Sequence, residues 1–407
     1  METQTVAELT EKYLMNTYKR APVAFASGQG ARLTDVEGKT YLDFLAGIAV
    51  SILGHNHPRL TAAVQQQAAR VIHTSNLYLI PPQAQLAQWL VEHSACDQAF
   101  FCNSGAEANE AAIKLARKFG AGEGRFEILV ADQSFHGRTL AALAATAQPK
   151  YHKGFEPLPP GFVPVQWNDF SALEAAVTPR TCAIMLEPIQ GEGGLRFPSP
   201  GYLGTVRRLC DERGLVLILD EIQTGMGRTG RLFAYEHFGI EPDILTLAKA
   251  LGGGVPIGAV LAKKHVAQAF QPGDHGSTFG GNFLACAASF AVVTTIEQDG
   301  LIQHAAELGT YLVDQLRTLA RTHSAITEVR GLGLMVAVEL STETAPQVVD
   351  AARERGLLLN AVQPNTLRLV PPLVITRQDV DEAVRILAES LASVTQPVTT
   401  AVVGHGS

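Results

Sequence analysis

The sequence predicts an α/β fold in which a mostly parallel sheet carries helices on both faces and is joined to a smaller α+β domain. Between about residues 58 and 295, short apolar runs alternate with helical patterns, which is typical of parallel strands buried on both faces. After residue 296 a long amphipathic helix and short strands replace this alternation. With 407 residues, of which 46% are hydrophobic, the chain is long enough for two domains and a large core.

The first 57 residues are expected to pack with the smaller domain. Val6, Leu9 and Tyr13 recur at helical spacing and predict a short N-terminal helix. Residues 31–36 and 40–44 are predicted to form a hairpin, because the Glu-Gly pair between them is a turn signal.

The larger domain is predicted to cover residues 58–295 and to bind its ligand at one edge of the sheet. Parallel sheets bind ligands outside the carboxyl ends of their strands, so the polar residues that follow each strand are the candidates for a site. The predicted strands are short apolar runs at residues 98–102, 126–131, 182–186, 215–220, 244–248 and 257–262.

A small C-terminal domain is predicted over residues 296–395. An apolar stripe over residues 301–319 predicts a long helix, and Thr376 with Asp379 forms the cap of a last helix. Residues 396–407 are rich in Thr, Val and Gly and are expected to form a flexible tail. Short strands are expected at residues 328–330, 334–339 and 367–369.

Charge and composition exclude several classes of partner. A formal net charge of −7 argues against a surface for nucleic acid or anionic membranes. No apolar run reaches the length of a membrane span, and residues 1–12 lack the apolar segment of a signal peptide. The five cysteines are scattered and odd in number, so we expect reduced thiols in a cytoplasmic protein and no disulfide or metal framework.

Asp220 and Lys249 organise the candidate site. Asp220 ends one predicted strand and Lys249 follows another, so both are expected at the same edge of the sheet. A carboxylate and an amine held there suit a covalent carbonyl cofactor, because the amine can form a Schiff base while the carboxylate pairs with a ring nitrogen. A buried salt bridge between the two residues explains the pair alone equally well.

Three further groups of polar residues follow predicted strands. Residues 103–110 could hold a phosphate at a helix N-terminus, although Ser-Gly before a helix is also common capping chemistry. In the second group the Phe135 ring could stack on a planar cofactor and Arg138 could bind a carboxylate; an exposed loop is the alternative. Residues 186–194 place two carboxylates among glycines, which suits close approach to a ligand as well as a solvated loop.

Taken together, these groups resemble the class III pyridoxal-phosphate-dependent aminotransferases. The likeness holds in order and spacing from about Tyr13 to Leu391. It implies a fold type I transferase, a homodimer with shared active sites, and pyridoxal 5'-phosphate as the cofactor. The matching stretches are residues 41–47, 103–110, 135–138, 187–192, 220–223, 248–252 and 276–282.

The resemblance also implies which residues bind the cofactor. Lys249 would form the Schiff base, and Asp220 would pair with the pyridinium nitrogen. Phe135 would stack on the ring, and Gln223 would lie on its phenolic-oxygen side. The phosphate would be bound by Ser104, Gly105 and Ala106, joined by Thr278 of the partner subunit.

Within the class, the chain looks most like the members that use N2-acetylornithine. This implies transfer of the δ-amino group to 2-oxoglutarate, giving N-acetylglutamate 5-semialdehyde and glutamate. Arg368 would bind the α-carboxylate of 2-oxoglutarate or glutamate, and Glu192 would cover Arg368 in the other half-reaction. Arg138 would hold the carboxylate of acetylornithine. The remaining expected substrate contacts are Tyr18, Ile48 and Ser277.

The chain departs from the family pattern at three positions. Ile48 stands where related ornithine aminotransferases have a tyrosine that favours free ornithine, so it favours an acylated substrate. Ala106 stands where threonine is common, so one hydroxyl contact to the phosphate is expected to be missing. Phe283 stands where proline is usual, which could alter the loop beside Thr278.

Other substrates and another class of function stay open at this point. The same chemistry could act on succinylornithine, N-succinyl-diaminopimelate, ornithine or 4-aminobutyrate. A cofactor-binding regulator without turnover is the alternative from a different class. Such a protein usually carries a DNA-binding module with a basic patch, which this acidic chain lacks.

Overall fold

The computed structural model describes residues 1–395, and the tail predicted at 396–407 lies outside them. The strands are β1 (Phe25–Gln29), β2 (Arg32–Asp35), β3 (Thr40–Asp43), β4 (Gln98–Cys102), β5 (Glu127–Ala131), β6 (Phe162–Val165), β7 (Thr181–Leu186), β8 (Val216–Asp220), β9 (Ile244–Leu247), β10 (Gly258–Ala262), β11 (Ile326–Leu332), β12 (Met335–Leu340), β13 (Leu357–Leu358), β14 (Asn360–Gln363) and β15 (Thr366–Leu369).

The helices are α1 (Thr3–Tyr13), α2 (Ala46–Ala49), α3 (Pro58–Ala68), α4 (Pro81–Glu92), α5 (Gly105–Gly120), α6 (Leu140–Ala145), α7 (Phe170–Ala176), α8 (Tyr202–Arg213), α9 (Lys264–Ala267), α10 (Phe283–Gln298), α11 (Leu301–Ala320), α12 (Ala345–Glu354) and α13 (Arg377–Thr395). Short 3₁₀ helices lie at Ala121–Glu123, Pro149–Tyr151, Ala234–Phe238 and Lys249–Gly252. None of the helices within the described residues is long and apolar enough to cross a membrane.

A seven-stranded sheet in the order β4-β10-β9-β8-β7-β5-β6 forms the centre of the molecule. The five strands from β9 to β6 are parallel to their neighbours, and β10 runs antiparallel to both β9 and β4. Along β5, Ile128 and Val130 pack into one hydrophobic core while Leu129 and Ala131 pack into another. Successive side chains of a strand point to opposite faces, so both faces of the sheet are buried. The predicted mostly parallel sheet with helices on both faces is confirmed.

Strand boundaries in this sheet follow the apolar runs closely. The six predicted strands coincide with β4, β5 and β7 to β10, and each boundary differs by one residue at most. The strand β6 was not predicted, because it has only four residues and contains Pro164. Proline cannot donate to a sheet's hydrogen-bond ladder, and it is tolerated here because β6 lies at the edge of the sheet.

The described residues contain two further sheets, each of four strands. The predicted N-terminal hairpin is β2 and β3, which form one sheet with β1 and β13. Leu42 of β3 is paired in parallel with Leu357, so the N-terminal segment is hydrogen-bonded to the C-terminal part of the chain. The other sheet has the order β11-β12-β15-β14, and Arg368 lies on its inner strand β15. The proposed division into domains at residues 57/58 and 295/296 stays a prediction.

Candidate active site

A cavity of about 450 Å³ opens at the carboxyl edge of the central sheet. Its volume suits a small molecule. A larger groove of about 840 Å³ elsewhere contains none of the predicted site residues. The predicted site residues that line the smaller cavity are Ser104, Gly105, Ala106, Phe135, Arg138, Glu192, Asp220, Gln223 and Lys249.

Asp220 is buried at the end of β8 and accepts three hydrogen bonds. Its Oδ2 accepts from Asn109 Nδ2 at 2.8 Å and from His136 Nδ1 at 2.7 Å, and its Oδ1 accepts from the Ile222 amide at 3.1 Å. These donors compensate for the burial of the carboxylate. No ion pair joins Asp220 to Lys249 within residues 1–395. The alternative of a buried salt bridge between the two is therefore excluded.

Lys249 follows β9 and has an amine that is free to react. Its φ of +40° is a conformation that residues other than glycine rarely adopt, and such strain is often found at functional sites. Among the described residues its Nζ has no hydrogen-bond or ion-pair partner. Burial lowers the pKa of Lys249, and the charge of Arg368 adds to this effect, although Glu192 and Asp220 oppose it. A lower pKa increases the neutral fraction of the amine, which is the nucleophilic form.

The N-terminus of α5 forms one wall of the cavity. Ser104 is the N-cap, and its side chain accepts a hydrogen bond from the Glu107 amide at 3.2 Å. The first amides of a helix have no intrahelical acceptor, so those of Gly105 and Ala106 stay available for an anion. A Cβ on residue 105 would lie 2.8 Å from Ile222 Cδ1, so Gly105 packs closely against the Ile222 side chain.

Phe135 and Arg138 lie on the loop that follows β5. The Phe135 amide donates a hydrogen bond of 2.9 Å to Glu187 Oε1, which fixes the backbone under the ring. The guanidinium carbon of Arg138 lies 5.5 Å from the centre of the Phe135 ring. Because no carboxylate pairs with Arg138 within residues 1–395, its N–H groups are available to a ligand.

Arg368 is fully buried and is held by side chains from three segments. Its Nη1 donates to the Glu192 carboxylate and, at 3.0 Å, to Gln223 Oε1; its Nε donates to Asn360 Oδ1 at 3.1 Å. Nη2 is buried without a partner among the described residues. Burial alone would raise the pKa of Glu192, but the charges of Arg368 and Lys249 outweigh it and lower that pKa. The ion pair is therefore stable at neutral pH.

Glu187 ties two of the site's loops together. Its Oε1 accepts from the Phe135 amide at 2.9 Å, and its Oε2 accepts from the Gly191 amide at 3.0 Å. Burial raises the pKa of this carboxyl to about 7, although the neighbouring His136 and the two hydrogen bonds oppose the rise. The residue therefore couples the loop of Phe135 to the loop of Glu192.

Five predicted site residues do not line the cavity of the described chain; one of them, Arg368, lies behind Glu192 and Gln223, which do line it. Thr278 is exposed, and Tyr18 and Ile48 are 71% and 41% exposed. Ser277 lies close by, but its hydroxyl is occupied by Asn103 Nδ2 at 3.0 Å. In the single chain these four residues are not part of the lining of the cavity that contains Lys249.

Ile48 lies in a left-handed turn. All four residues of α2 have positive φ, with values of 50°, 63°, 68° and 60°, so α2 is not a right-handed helix. Left-handed conformation costs about 1–2 kcal/mol for each residue other than glycine. Asp43 holds the turn by accepting hydrogen bonds from the amides of Leu45 at 3.0 Å and Ala46 at 2.8 Å. Val50, directly after the turn, lines the cavity.

Three residues of the site were given no role by the sequence analysis. They are Asn109 and His136, which donate to Asp220, and Glu187, which joins the two loops. The sequence did hold a signal for Asn109 and His136. A buried carboxylate such as Asp220 needs hydrogen-bond donors, and both residues lie in segments that follow predicted strands. Which polar residue meets which carboxylate depends on distances through space, and spacing along the chain does not supply these.

Comparison with known proteins gives one consistent family. A family model described as aminotransferase class-III matches residues 13–391. The chain is 55% identical to the acetylornithine aminotransferase of Gloeobacter violaceus over 97% of its own length and 100% of the relative's. It is 53% identical to that of Caldanaerobacter subterraneus, with coverage of 94% and 98%.

Solved structures agree with the sequence comparison. The ornithine aminotransferase from Toxoplasma gondii matches with a TM-score of 0.93 and 36% identity, covering 97% of this chain and 96% of that one. A second structure of the Toxoplasma enzyme is described as having partial occupancy of PLP at its active site. The acetylornithine aminotransferase from Elizabethkingia anophelis matches with a TM-score of 0.86 and 34% identity, covering 97% and 100%.

Proposed function

Because the chain belongs to the class-III aminotransferases, we propose that it transfers the δ-amino group of N2-acetylornithine to 2-oxoglutarate. The products are N-acetylglutamate 5-semialdehyde and glutamate, which places the reaction in arginine biosynthesis. The chain is a pyridoxal-phosphate-dependent aminotransferase, as its family is. Relatives named acetylornithine aminotransferase that are 47–55% identical support the choice of amino donor.

The observation that carries this proposal is that two arginines at the cavity are in different states: Arg138 lines it, and Arg368 lies behind the lining residues Glu192 and Gln223. Arg368 is covered by Glu192, whereas Arg138 has no acidic partner among the described residues. The donor N2-acetylornithine carries its carboxylate far from the reacting amine, so it can use Arg138 while Arg368 stays covered. Glutamate and 2-oxoglutarate carry a second carboxylate beside the reacting carbon, and this group would displace Glu192 from Arg368.

The residues around the cavity fit pyridoxal phosphate. The unpartnered Lys249 amine suits attachment of an aldehyde, and the free amides at the start of α5 suit a phosphate. When bound, this cofactor supplies an aldehyde that condenses with amines and a ring that withdraws electrons from the reacting carbon. We assign the phosphate to Ser104, Gly105 and Ala106, the ring face to Phe135, and the phenolic-oxygen side to Gln223.

The chain's own residues carry the proton transfers. Lys249 Nζ would take the proton from the reacting carbon of the substrate and, as its conjugate acid, would later give a proton back. Burial lowers the pKa of Lys249, which favours the neutral amine, the form that can accept a proton. Asp220 would keep the ring nitrogen protonated, and Asn109 and His136 would hold Asp220 in place.

We further propose a cytoplasmic homodimer with shared active sites. The exposure of Thr278 supports a contact with a second copy, in which Thr278 of the partner subunit would reach the phosphate. Ser277, Tyr18 and Ile48 would complete the substrate pocket only in that assembly. This arrangement accounts for their absence from the lining of the cavity in the single chain.

The test is a scan of half-reactions on the purified holoenzyme. Each amine is added alone, and the change in the cofactor's absorbance gives its rate. We expect N2-acetylornithine to react at least about tenfold faster than free ornithine or 4-aminobutyrate, since a mismatched polar group in the pocket costs about that much. Equal or faster reaction of free ornithine would refute the assignment and the role given to Ile48, and glutamate serves as the positive control.

Attachment of the cofactor is tested by Lys249→Ala. We expect this variant to lose both turnover and the adduct that borohydride reduction leaves on the wild-type chain, as measured by mass spectrometry. Lys264→Ala, on the exposed side of α9, is the matched control and should keep both. Retention of the adduct by Lys249→Ala would show that another amine holds the cofactor.

A further inference from the structure

The guanidinium of Arg138 is held by two aromatic rings. Its central carbon lies 4.0 Å from the centre of the Tyr151 ring and 5.5 Å from that of Phe135. The two rings are 6.1 Å apart and nearly perpendicular, at 81°. Within the described residues Arg138 makes no hydrogen bond or ion pair. The rings therefore orient the guanidinium through cation–π contacts and leave its N–H fork free for a carboxylate.

Tyr151 is fixed to the same framework as the loop that carries Phe135 and Arg138. Gln148, three residues earlier, is buried and donates from Nε2 to the Ser134 carbonyl at 2.9 Å. His152, the next residue, bonds through Nε2 to the Thr146 carbonyl at 2.7 Å. Hydrogen bonds on both sides of Tyr151, one buried and one partly buried, thus hold its segment against the loop that lines the cavity.

The backbone on the far side of Arg138 is anchored as well. Glu110 Oε1 accepts a hydrogen bond from Thr139 Oγ1 at 2.6 Å and another from the Ala141 amide at 3.0 Å. A Cβ on Gly137 would lie 2.8 Å from the Cβ of Ala106, so the loop packs directly on α5. With the backbone fixed, the remaining freedom lies in the long arginine side chain, and Tyr151 restricts it.

We propose that Tyr151 is a positioning residue that holds Arg138 for the non-reacting carboxylate of the substrate. This rests on the proposed function, in which Arg138 binds that carboxylate. By restricting Arg138, Tyr151 sets the distance between the reacting amine and the carboxylate that the enzyme accepts. It acts on both substrates, because N2-acetylornithine and glutamate each present such a carboxylate.

The test compares Tyr151→Leu, which removes the ring, with Tyr151→Phe, which keeps it. We expect Tyr151→Leu to raise the KM for N2-acetylornithine about 2- to 30-fold, the range of a cation–π contact, with kcat within about twofold of wild type. The affinity of the holoenzyme for glutarate, measured by calorimetry, should fall by a similar factor. The half-reaction of 1-aminopentane, which has no carboxylate, should be unchanged, and Tyr151→Phe should behave as wild type.

Two further variants separate positioning from a structural role. In an Arg138→Leu background, Tyr151→Leu should cause no additional loss, because its partner is already absent. Tyr311→Leu removes a ring that packs 4.4 Å from the guanidinium carbon of Arg377, away from the cavity, and should leave KM unchanged. An equal loss with 1-aminopentane, or an additive loss in the double variant, would overturn the proposal. If the wild type does not use N2-acetylornithine, the proposed function fails, yet glutarate binding still tests Tyr151.

Discussion

Glu192 decides when Arg368 is available to a substrate. The two form an ion pair beside Gln223 in which Arg368 is fully buried and Glu192 is partly buried, and Arg368 has no other carboxylate within the described residues. Removing one charge of a buried pair leaves the other uncompensated, which is unfavourable unless a ligand replaces it. Glu192 therefore stays paired with Arg368 while no α-carboxylate is bound, and the α-carboxylate of a substrate can take its place.

The variant Glu192→Gln tests this role. Its amide cannot neutralise Arg368, so we expect the half-reaction of N2-acetylornithine to slow by about tenfold or more while that of glutamate keeps or improves its kcat/KM. Rapid-mixing absorbance on each substrate alone gives both values. Glu328→Gln breaks another ion pair, at the surface with Arg330, and should change neither. Equal losses for both substrates would contradict the switching role.

Glu221 gives the unfolding free energy a dependence on pH. It is buried directly after β8 and accepts hydrogen bonds from the amides of Ala234 at 2.7 Å and Tyr235 at 2.8 Å. Burial nevertheless raises its pKa from 4.5 to about 7. Between these values the folded chain binds a proton that the unfolded chain has lost. The contribution of Glu221 to stability is thus complete below pH 4.5 and is lost as the pH rises through 7.

We expect this loss to be about 3 kcal/mol, at about 1.4 kcal/mol for each unit of pKa. Urea unfolding from pH 5 to pH 8 gives the unfolding free energy of the wild type and of Glu221→Gln. The difference between the two isolates the contribution of Glu221, because the other titrating groups are the same in both proteins. The wild type should lose stability relative to Glu221→Gln as the pH rises. Glu212→Gln, on the exposed side of α8, should show a constant difference. A constant difference for Glu221→Gln as well would refute the raised pKa.

At the scale of elements, the N-terminus of α5 depends on its packing against β10. A Cβ on Gly258 would lie 2.4 Å from the Ser104 carbonyl oxygen and 2.8 Å from Cys102 Sγ. Overpacking of this kind costs about 1–3 kcal/mol and shifts the backbone. Since Ser104 is the N-cap of α5, the shift would move the amides that we assign to the phosphate.

Gly258→Ala should therefore lower both the unfolding free energy and the affinity of the apoenzyme for pyridoxal phosphate, the latter by about tenfold, which corresponds to about 1.4 kcal/mol. Fluorescence titration with the cofactor measures the affinity. Gly204→Ala is the matched control, because nothing lies within 4 Å of its added Cβ in α8. It should stabilise the helix by about 0.5–1 kcal/mol and leave affinity unchanged. Normal cofactor binding by Gly258→Ala would refute the assigned phosphate site.

The elements that could be predicted are those whose pattern is local. The predicted strands of the central sheet are mostly apolar, and β5, β7 and β8 are buried at every position, because both faces of the sheet are covered. The edge strand β6, which contains Pro164, and β14, which begins with Asn360 and ends with Gln363, were missed. The left-handed turn α2 was also missed, since its Ala and Ile residues give no sign of positive φ, and the turn is held by hydrogen bonds that backbone amides donate to Asp43.

The same distinction applies to the site. Lys249 and Asp220 were predicted from their positions after strands, and the cavity contains both. The sequence did not predict the neighbours that hold these residues, such as His136, or the contact of the Tyr151 ring with Arg138. These contacts join segments that are distant in sequence, and only the packing of loops on the sheet decides them.

At the scale of the whole molecule, the chain exposes an apolar surface next to Thr278. Asn76 Nδ2 donates to the Gly280 carbonyl at 2.9 Å, and the rings of His73 and Phe279 are 5.3 Å apart, so the segments on either side form one patch. Contiguous apolar patches of this kind mark interaction sites. The large side chains exposed there are Ile72, Leu77, Tyr78, Leu79 and Phe279. We propose that a second copy of the chain covers this patch.

The variant Leu79→Asp tests whether that dimer forms and whether activity needs it. Leu79 is 95% exposed in the single chain, so the change should not disturb its fold, but a carboxylate buried against a second copy would be unpaired and costly. We expect sedimentation to show that the variant dissociates at concentrations where the wild type is dimeric. Its activity should be at least about tenfold lower, because the contact from Thr278 of the partner subunit is lost. Gln303→Asp adds the same charge on the exposed side of α11 and should remain an active dimer. A fully active Leu79→Asp monomer would show that each chain completes its own site and would remove the reason for placing Thr278 in the partner's cavity.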